Sequence, residues 1–235
     1  YFAVSDLYAC IKDHINTSDF DNTDLVKLGF WPGGDRDGNP FVTFDITKDV
    51  ADELRMSLMK CYDDDIKSIQ KKLTFREVEN ILQELRDKIY QTIFNSERYL
   101  SYEEIINPLL EVQEIVSNTY HSLYLEDLKR LIDRVKIFRT HFASLDIRQD
   151  HSIHEKVVTA ILKQKGIINE SIRVFDEKEL ISILLHQNFN IDPDSFEEEI
   201  FEDTIRNISQ LKNIQLKNGE EGCNRYIISN SENIF

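Results

Sequence analysis

The sequence predicts a mainly α-helical chain with a few parallel strands, part of a helix-rich α/β (TIM-type) barrel. Apolar residues recur at helical spacing along most of its length. Three short stretches, 25–31, 142–148 and 225–229, break that rhythm with β-branched and aromatic residues bounded by polar residues or glycine. The segments between them are longer than a hairpin needs, and such crossovers permit parallel strands with helices packed outside. Seven glycines and four prolines in 235 residues leave little material for many tight turns. Residues 1–235 read as a single segment of such a barrel, without a clear domain linker.

The first strand is placed at 25–31. Behind it, Val50, Leu54, Leu58, Cys61, Ile66, Ile69 and Leu73 mark one helix face. A second stripe, Val78, Ile81, Leu82, Leu85, Ile89 and Ile93, follows Thr74-Phe75-Arg76-Glu77, the spacing at which Thr and Glu satisfy the first orphan amides of a helix. Ser101-Tyr102-Glu103-Glu104 repeats that signature ahead of Ile105, Leu109, Val112, Val116, Tyr120 and Leu123. Pro108 lies inside this stripe and predicts a kink instead of a break, because the periodicity resumes on the same face. Leu128, Leu131, Val135 and Phe138 mark a further helix before the strand at 142–148. Helices are expected at 154–165, 177–188 and 195–213, the last opening with Ser195-Phe196-Glu197-Glu198. A loop at 218–222 then leads into the strand at 225–229.

Charge and composition exclude several classes. With 43 acidic against 28 basic residues the formal charge is −15, which repels a phosphate backbone, so nucleic acid is not an expected partner. No apolar run approaches the ~20 residues that span a bilayer, so no membrane partner is expected either. Cys10, Cys61 and Cys223 are odd in number, far apart and in no Cys-x-x-Cys pair. Structural zinc and a secreted disulfide framework are therefore unsupported, and a reducing cytoplasmic setting is expected. Residue 1 is Tyr, and the chain closes on Asn230-Ser231-Glu232-Asn233-Ile234-Phe235 without a stop signal, so both ends read as cut from a longer polypeptide.

Two segments can carry chemistry. The first is Gly33-Gly34-Asp35-Arg36-Asp37-Gly38-Asn39-Pro40, whose glycine density implies turns with positive φ or a close backbone approach. It has the glycine spacing of a P-loop, but Asn39 and Pro40 stand where Lys and Ser/Thr are required. Asp35, Asp37 and Asn39 imitate an EF-hand loop, but Pro40 takes its obligatory glycine position and Ile46 replaces the bidentate glutamate. The plain alternative is a turn in which Asp35 and Asp37 neutralise Arg36.

The second segment is Leu145-Asp146-Ile147-Arg148-Gln149-Asp150-His151, at the carboxyl end of the middle strand, the end that faces the active site in α/β barrels. An Arg beside Asp, Gln and His suits a phosphate or carboxylate, because its fork donates two parallel hydrogen bonds. The plain alternative is a structural ion pair between Asp146 and Arg148. His14, His121, His141 and His186 sit in helical patterns as surface or core-edge residues, whereas His151 and His154 are placed to approach a site. The acidic stretch 192–203 reads as a helix N-terminus.

Together these segments resemble phosphoenolpyruvate carboxylase. Leu28-Gly29-Phe30-Trp31-Pro32, then GGDRDGNP, then Phe41-Val42-Thr43 is similar to the family's strand, glycine-rich run and NPxVT. LDIRQD at 145–150, with His154 five residues past Gln149, resembles its LDIRQES-x-x-H signature, and Arg225-Tyr226-Ile227-Ile228-Ser229 is similar to its YVIS strand. The resemblance covers nearly the whole chain. It implies a carbon–carbon carboxy-lyase of anaplerotic carbon dioxide fixation, cytoplasmic and homo-oligomeric. That enzyme joins phosphoenolpyruvate and bicarbonate, with Mg²⁺ or Mn²⁺, through carboxyphosphate and an enolate to oxaloacetate and phosphate.

Carried over by motif, Arg148 matches the arginine that contributes to the substrate site, with Asp146 and Gln149 beside it. Gly33, Gly34, Asp35, Arg36, Asp37, Gly38 and Asn39 match the glycine-rich loop at the barrel mouth, in a shaping role. Asp150 replaces the usual glutamate and His151 the usual Ser or Thr, which leaves Arg148 undisturbed. The family's Thr-x-His-Pro-Thr, Gly-Arg-Gly-Gly and Gly-Tyr-Ser-Asp-Ser-x-Lys motifs and its acidic metal pair do not occur here. The resemblance therefore implies a middle piece of the enzyme, inactive alone, binding no metal by itself and completed by the remainder of its own chain. The competing expectation is a freestanding helical interaction module that retains barrel signatures.

Overall fold

Helical stripes dominate the computed structural model, which describes residues 1–15, 25–172, 176–186 and 190–231. The elements run α1 (Phe2–Ile15), β1 (Gly29–Phe30), α2 (Phe44–Gln70), α3 (Arg76–Ile93), α4 (Tyr102–Thr119), α5 (Leu125–Phe138), β2 (Ser144–Asp150), α6 (His151–Gln164), α7 (Glu177–His186), α8 (Glu199–Asn218) and β3 (Arg225–Ser229). The protein is mainly helical with a small parallel three-stranded sheet of order β1-β2-β3. Among the described residues no helix is long and apolar enough to cross a membrane. The chain divides into two compact units.

The first unit comprises Tyr1–Phe30, Asp49–Leu145 and Asn213–Asn224. Its core is built largely by the stripes read from the sequence: Leu58, Ile66 and Leu73 from α2 and the turn after it, Val78, Leu82, Leu85 and Ile89 from α3, Ile105, Leu109, Val112 and Val116 from α4, and Leu128, Leu131, Val135 and Phe138 from α5. In α2 the side chain of Tyr62 is also fully buried, whereas Cys61, expected on that face, is half-buried. α4 runs through Pro108 with its buried face continuous on both sides. Arg55, 1% exposed, is closely tied: it donates to Asp52, to Asn218 Oδ1 and to the carbonyls of Ser96 and Arg98. Such a buried cation is tolerated because four of its five N–H groups and its charge find partners.

Several expectations are corrected here. α1 is not among the helices expected, although Val4, Tyr8, Ile11 and Ile15 fall at helical spacing; of its residues Ser5 and Tyr8 are buried. The first strand, expected over 25–31, is paired only at Gly29 and Phe30, opposite Ser144 and Leu145. Val26 N donates instead to the Tyr8 hydroxyl at 2.9 Å, and Trp31 O accepts from Gly34 N at 2.9 Å, which closes a turn. The second strand is shifted from 142–148 to Ser144–Asp150. Phe142 is left-handed (φ 63°), which delays its start, and pairing of Asp150 with Ser229 prolongs its end.

Of the three capping signatures only Ser101 forms its box, accepting from Glu104 N at 3.2 Å while Glu104 Oε2 accepts from Ser101 N at 2.9 Å. Thr74 does not cap α3; Phe75 is the N-cap, its ring stacked on Tyr120. Ser195 lies in a 3-10 turn, Pro193–Ser195, and its hydroxyl donates to Asp192 O at 2.6 Å. α4 ends at Thr119, short of Leu123, because His121, Ser122 and Tyr124 take positive φ.

The second unit comprises Trp31–Lys48, Asp146–Lys212 and Arg225–Phe235. α6 and α8 bury Val157, Ile161, Phe201 and Ile205 together, and Leu162, Ile168, Ile172 and Leu180 form a second cluster. The helices expected at 154–165 and 195–213 are observed at His151–Gln164 and Glu199–Asn218. That expected over 177–188 is observed as Glu177–His186, with 187–188 outside the described residues. β3 matches its expected bounds and pairs parallel with β2, Asp146 opposite Arg225 through Asp150 opposite Ser229.

Candidate functional site

The glycine-rich run leaves β1 through a turn: Trp31 O accepts from Gly34 N and Asp35 N at 2.9 and 3.0 Å. It then lies along β2 as a one-residue strand. Arg148 N donates to Gly34 O at 2.8 Å and Arg36 N to Arg148 O at 3.1 Å, so Asp35 pairs with Arg148 as a parallel bridge. Thr47 Oγ1 donates to Gly33 O at 2.7 Å, which ties the same run to the first turn of α2. The two segments singled out by sequence therefore meet through backbone hydrogen bonds.

Strand alternation then divides their side chains between two faces. Asp35, Asp146, Arg148 and Arg225 share one face as cross-strand charge pairs: Arg148 Nη1 to Asp35 Oδ2 at 4.0 Å and Arg225 Nε to Asp146 Oδ1 at 2.6 Å. The second is a charge contact without hydrogen-bond geometry, for among the described residues Asp146 Oδ1 accepts no hydrogen bond. Arg148 remains 47% exposed and meets its aspartate only at the limit of ion-pair distance. The expected Asp146–Arg148 ion pair is thus replaced by two other pairs, each aspartate taking the arginine opposite it.

The other face carries Gln149 and opens on a cleft of about 500 Å³, lined also by Arg36, Asp37, Gly38, Asn39, Asp150 and Glu199. Arg36 is 6% exposed and is paired through Nη2 with Asp203 of α8, not neutralised by Asp35 and Asp37 as the plain reading expects. Asp203 also accepts from Phe44 N at 2.8 Å, so one carboxylate holds the loop and caps α2. Among the described residues, Nε and Nη1 of Arg36 have no hydrogen-bond partner.

Asp150 caps α6. Hydrogen bonds from Ser152 and Asn230 hold its carboxyl down to about 2. His151, the next residue, is 3% exposed, and among the described residues neither ring nitrogen has a hydrogen-bond partner. His154 Nε2 lies 3.1 Å from the Tyr226 hydroxyl. Burial first, then the nearness of His151 and Arg36, lowers the His154 pKa, and burial pushes Tyr226 up to about 12.

Sequence reasoning missed Asp203, Arg225 and Tyr226. Asp203 was visible only as part of an acidic helix start; its partner is 167 residues away. Arg225 follows a loop and joins the site only through β2–β3 register.

This arrangement can present a half-exposed guanidinium to an anion beside a rigid glycine loop. The family model for phosphoenolpyruvate carboxylase matches residues 3–95 and 79–234. A phosphoenolpyruvate carboxylase of Nitrosomonas eutropha is 25% identical over 95% of this chain and 29% of its own length. Those of Shewanella sediminis and Aliivibrio salmonicida are 28% and 29% identical over 70% and 69% of this chain, and 22% of each relative. The chain belongs to the phosphoenolpyruvate carboxylase family. It spans between a fifth and a third of the length of these relatives.

Proposed function

We propose that this chain is a middle segment of a phosphoenolpyruvate carboxylase and contributes Arg148 to the binding of its anionic substrate. The reading rests on one observation above the rest: Arg148, in a motif matching the family's substrate arginine, is half-exposed with only a 4.0 Å contact to Asp35. Its fork can therefore close on a phosphate or carboxylate and stabilise charge that grows during reaction. The parallel strands and outer helices belong, in this reading, to a TIM-type barrel completed by other parts of a longer, cytoplasmic, homo-oligomeric enzyme. Phosphoenolpyruvate and bicarbonate are its substrates, oxaloacetate and phosphate its products. Family membership along nearly the whole chain favours this over a freestanding interaction module.

The loop 33–39 shapes the mouth. Gly34 lets it touch β2, and the Arg36–Asp203 pair fixes its far side. Gln149 Oε1 accepts from Asp150 N at 3.0 Å, which supports the end of the strand. The divalent metal implied by the family would supply Lewis acidity to a substrate oxygen. Among the described residues no group of three or more His, Cys, Asp or Glu is placed to hold a metal ion.

The test is a malate dehydrogenase-coupled assay of the purified 235-residue chain with phosphoenolpyruvate, bicarbonate and Mg²⁺. No oxaloacetate is expected; metal-dependent turnover above background would overturn the segment reading.

A further inference from the structure

We propose that Arg225 is a positioning residue that holds Asp146 away from Arg148, keeping the Arg148 fork open to an anion; this rests on the reading of Arg148 just given. Asp146 and Arg148 lie two residues apart on β2. Their side chains leave the same face of the strand about 7 Å apart, within reach of each other. Left to themselves, a carboxylate and a guanidinium so placed attract. Asp146 is instead engaged across the sheet, 2.6 Å from Arg225 Nε.

The chemistry of Asp146 makes that engagement consequential. Its Oδ1 is buried and among the described residues accepts no hydrogen bond, so its charge leans on the Arg225 contact. Removal of one member of such a pair leaves a charge that must find another partner or be protonated. Arg148, 47% exposed and on the same face, is within reach. Once bound to Asp146, its fork would be turned back along the strand and lost to an incoming anion.

Register argues for positioning over direct contact. Arg225 is the first residue of β3 and stands opposite Asp146, whereas Ile227 stands opposite Arg148. Arg225 is therefore set back from the carboxyl edge, where the glycine loop meets Arg148.

The experiment follows the Arg148 Nε–Hε resonance in ¹⁵N-arginine-labelled protein, with melting curves as the folding control. Arg225→Ala should shift the Arg148 resonance and slow guanidinium rotation. Adding Asp146→Asn should reverse both changes, and Arg225→Lys or Asp146→Asn alone should leave them as in the unaltered chain. Titration with phosphoenolpyruvate should show about two- to fivefold weaker binding for Arg225→Ala, restored in the double variant. An unmoved Arg148 resonance in Arg225→Ala overturns the proposal, as does a shift in Asp146→Asn alone. Weakened binding that Asp146→Asn does not restore also overturns it, and makes Arg225 a direct contact. If the ligand-free shifts occur but phosphoenolpyruvate leaves Arg148 unmoved in the unaltered chain, the proposal stands and the substrate reading fails.

Discussion

At Gly34 the loop has room for a hydrogen and nothing larger: a Cβ there would lie 2.1 Å from Asp146 O, a backbone atom that cannot swing aside. Gly34→Ala must push the loop off β2 and strain the 2.8 Å hydrogen bond from Arg148 N to Gly34 O. We expect a loss of about 1–3 kcal/mol, typical of overpacking, read as a lower melting temperature; an unchanged melt would show that the loop is not held against the strand. Arg36 is governed by the same contact region but for an electrostatic reason. Its side chain is 4% exposed and that of Asp203 is 16% exposed, so Arg36→Ala strands a largely buried carboxylate. A loss of about 3–5 kcal/mol is expected in urea unfolding, whereas Asp37→Ala should cost little. Equal losses for the two would restore the flanking-aspartate reading of Arg36.

Capping provides a matched pair at the scale of elements. Ser101 and Glu104 exchange both hydrogen bonds of a capping box, so Ser101→Ala should cost about 1 kcal/mol. Thr74 has the same sequence signature and no capping bond, so Thr74→Ala should leave the melting temperature nearly unchanged. The contrast shows what local sequence can and cannot tell. Stripes such as Val78, Leu82, Leu85 and Ile89 were legible because helix periodicity alone decides which face is buried. Start points were legible only where the cap is local, as at Ser101; others depend on distant groups: Phe75 stacks on Tyr120, and the Phe44 amide that opens α2 is capped by Asp203, 159 residues on. The site divides in the same way. Arg148 and the glycine run were legible as motifs, and their meeting as strand ends followed from the parallel crossovers. Which aspartate serves which arginine was not legible, because Asp146 and Arg148 are neighbours in sequence while Arg225 becomes a neighbour only in the sheet.

The stability of the protein as a whole should carry an acid dependence set partly by His141, which burial drives down to about 4. Unfolded, the same imidazole titrates near 6.5, so between these values the unfolded chain binds a proton that the folded chain does not. Its contribution is complete above about pH 6.5 and is lost as pH falls toward 4, on the order of 3 kcal/mol. His141→Gln should therefore melt with a shallower pH dependence than the unaltered chain over that window; parallel curves would exclude His141 as the cause. The function proposed above rests on a different group, Arg148, and on the longer enzyme of which this chain is proposed to be a segment. The most direct measurement is kcat/KM and melting temperature of that enzyme with Arg148→Ala beside wild type. Loss of an anion contact should lower kcat/KM by the equivalent of about 2–4 kcal/mol with the melting temperature unchanged. Near-normal turnover, or a loss that appears only with unfolding, would contradict the assignment of Arg148 to the substrate.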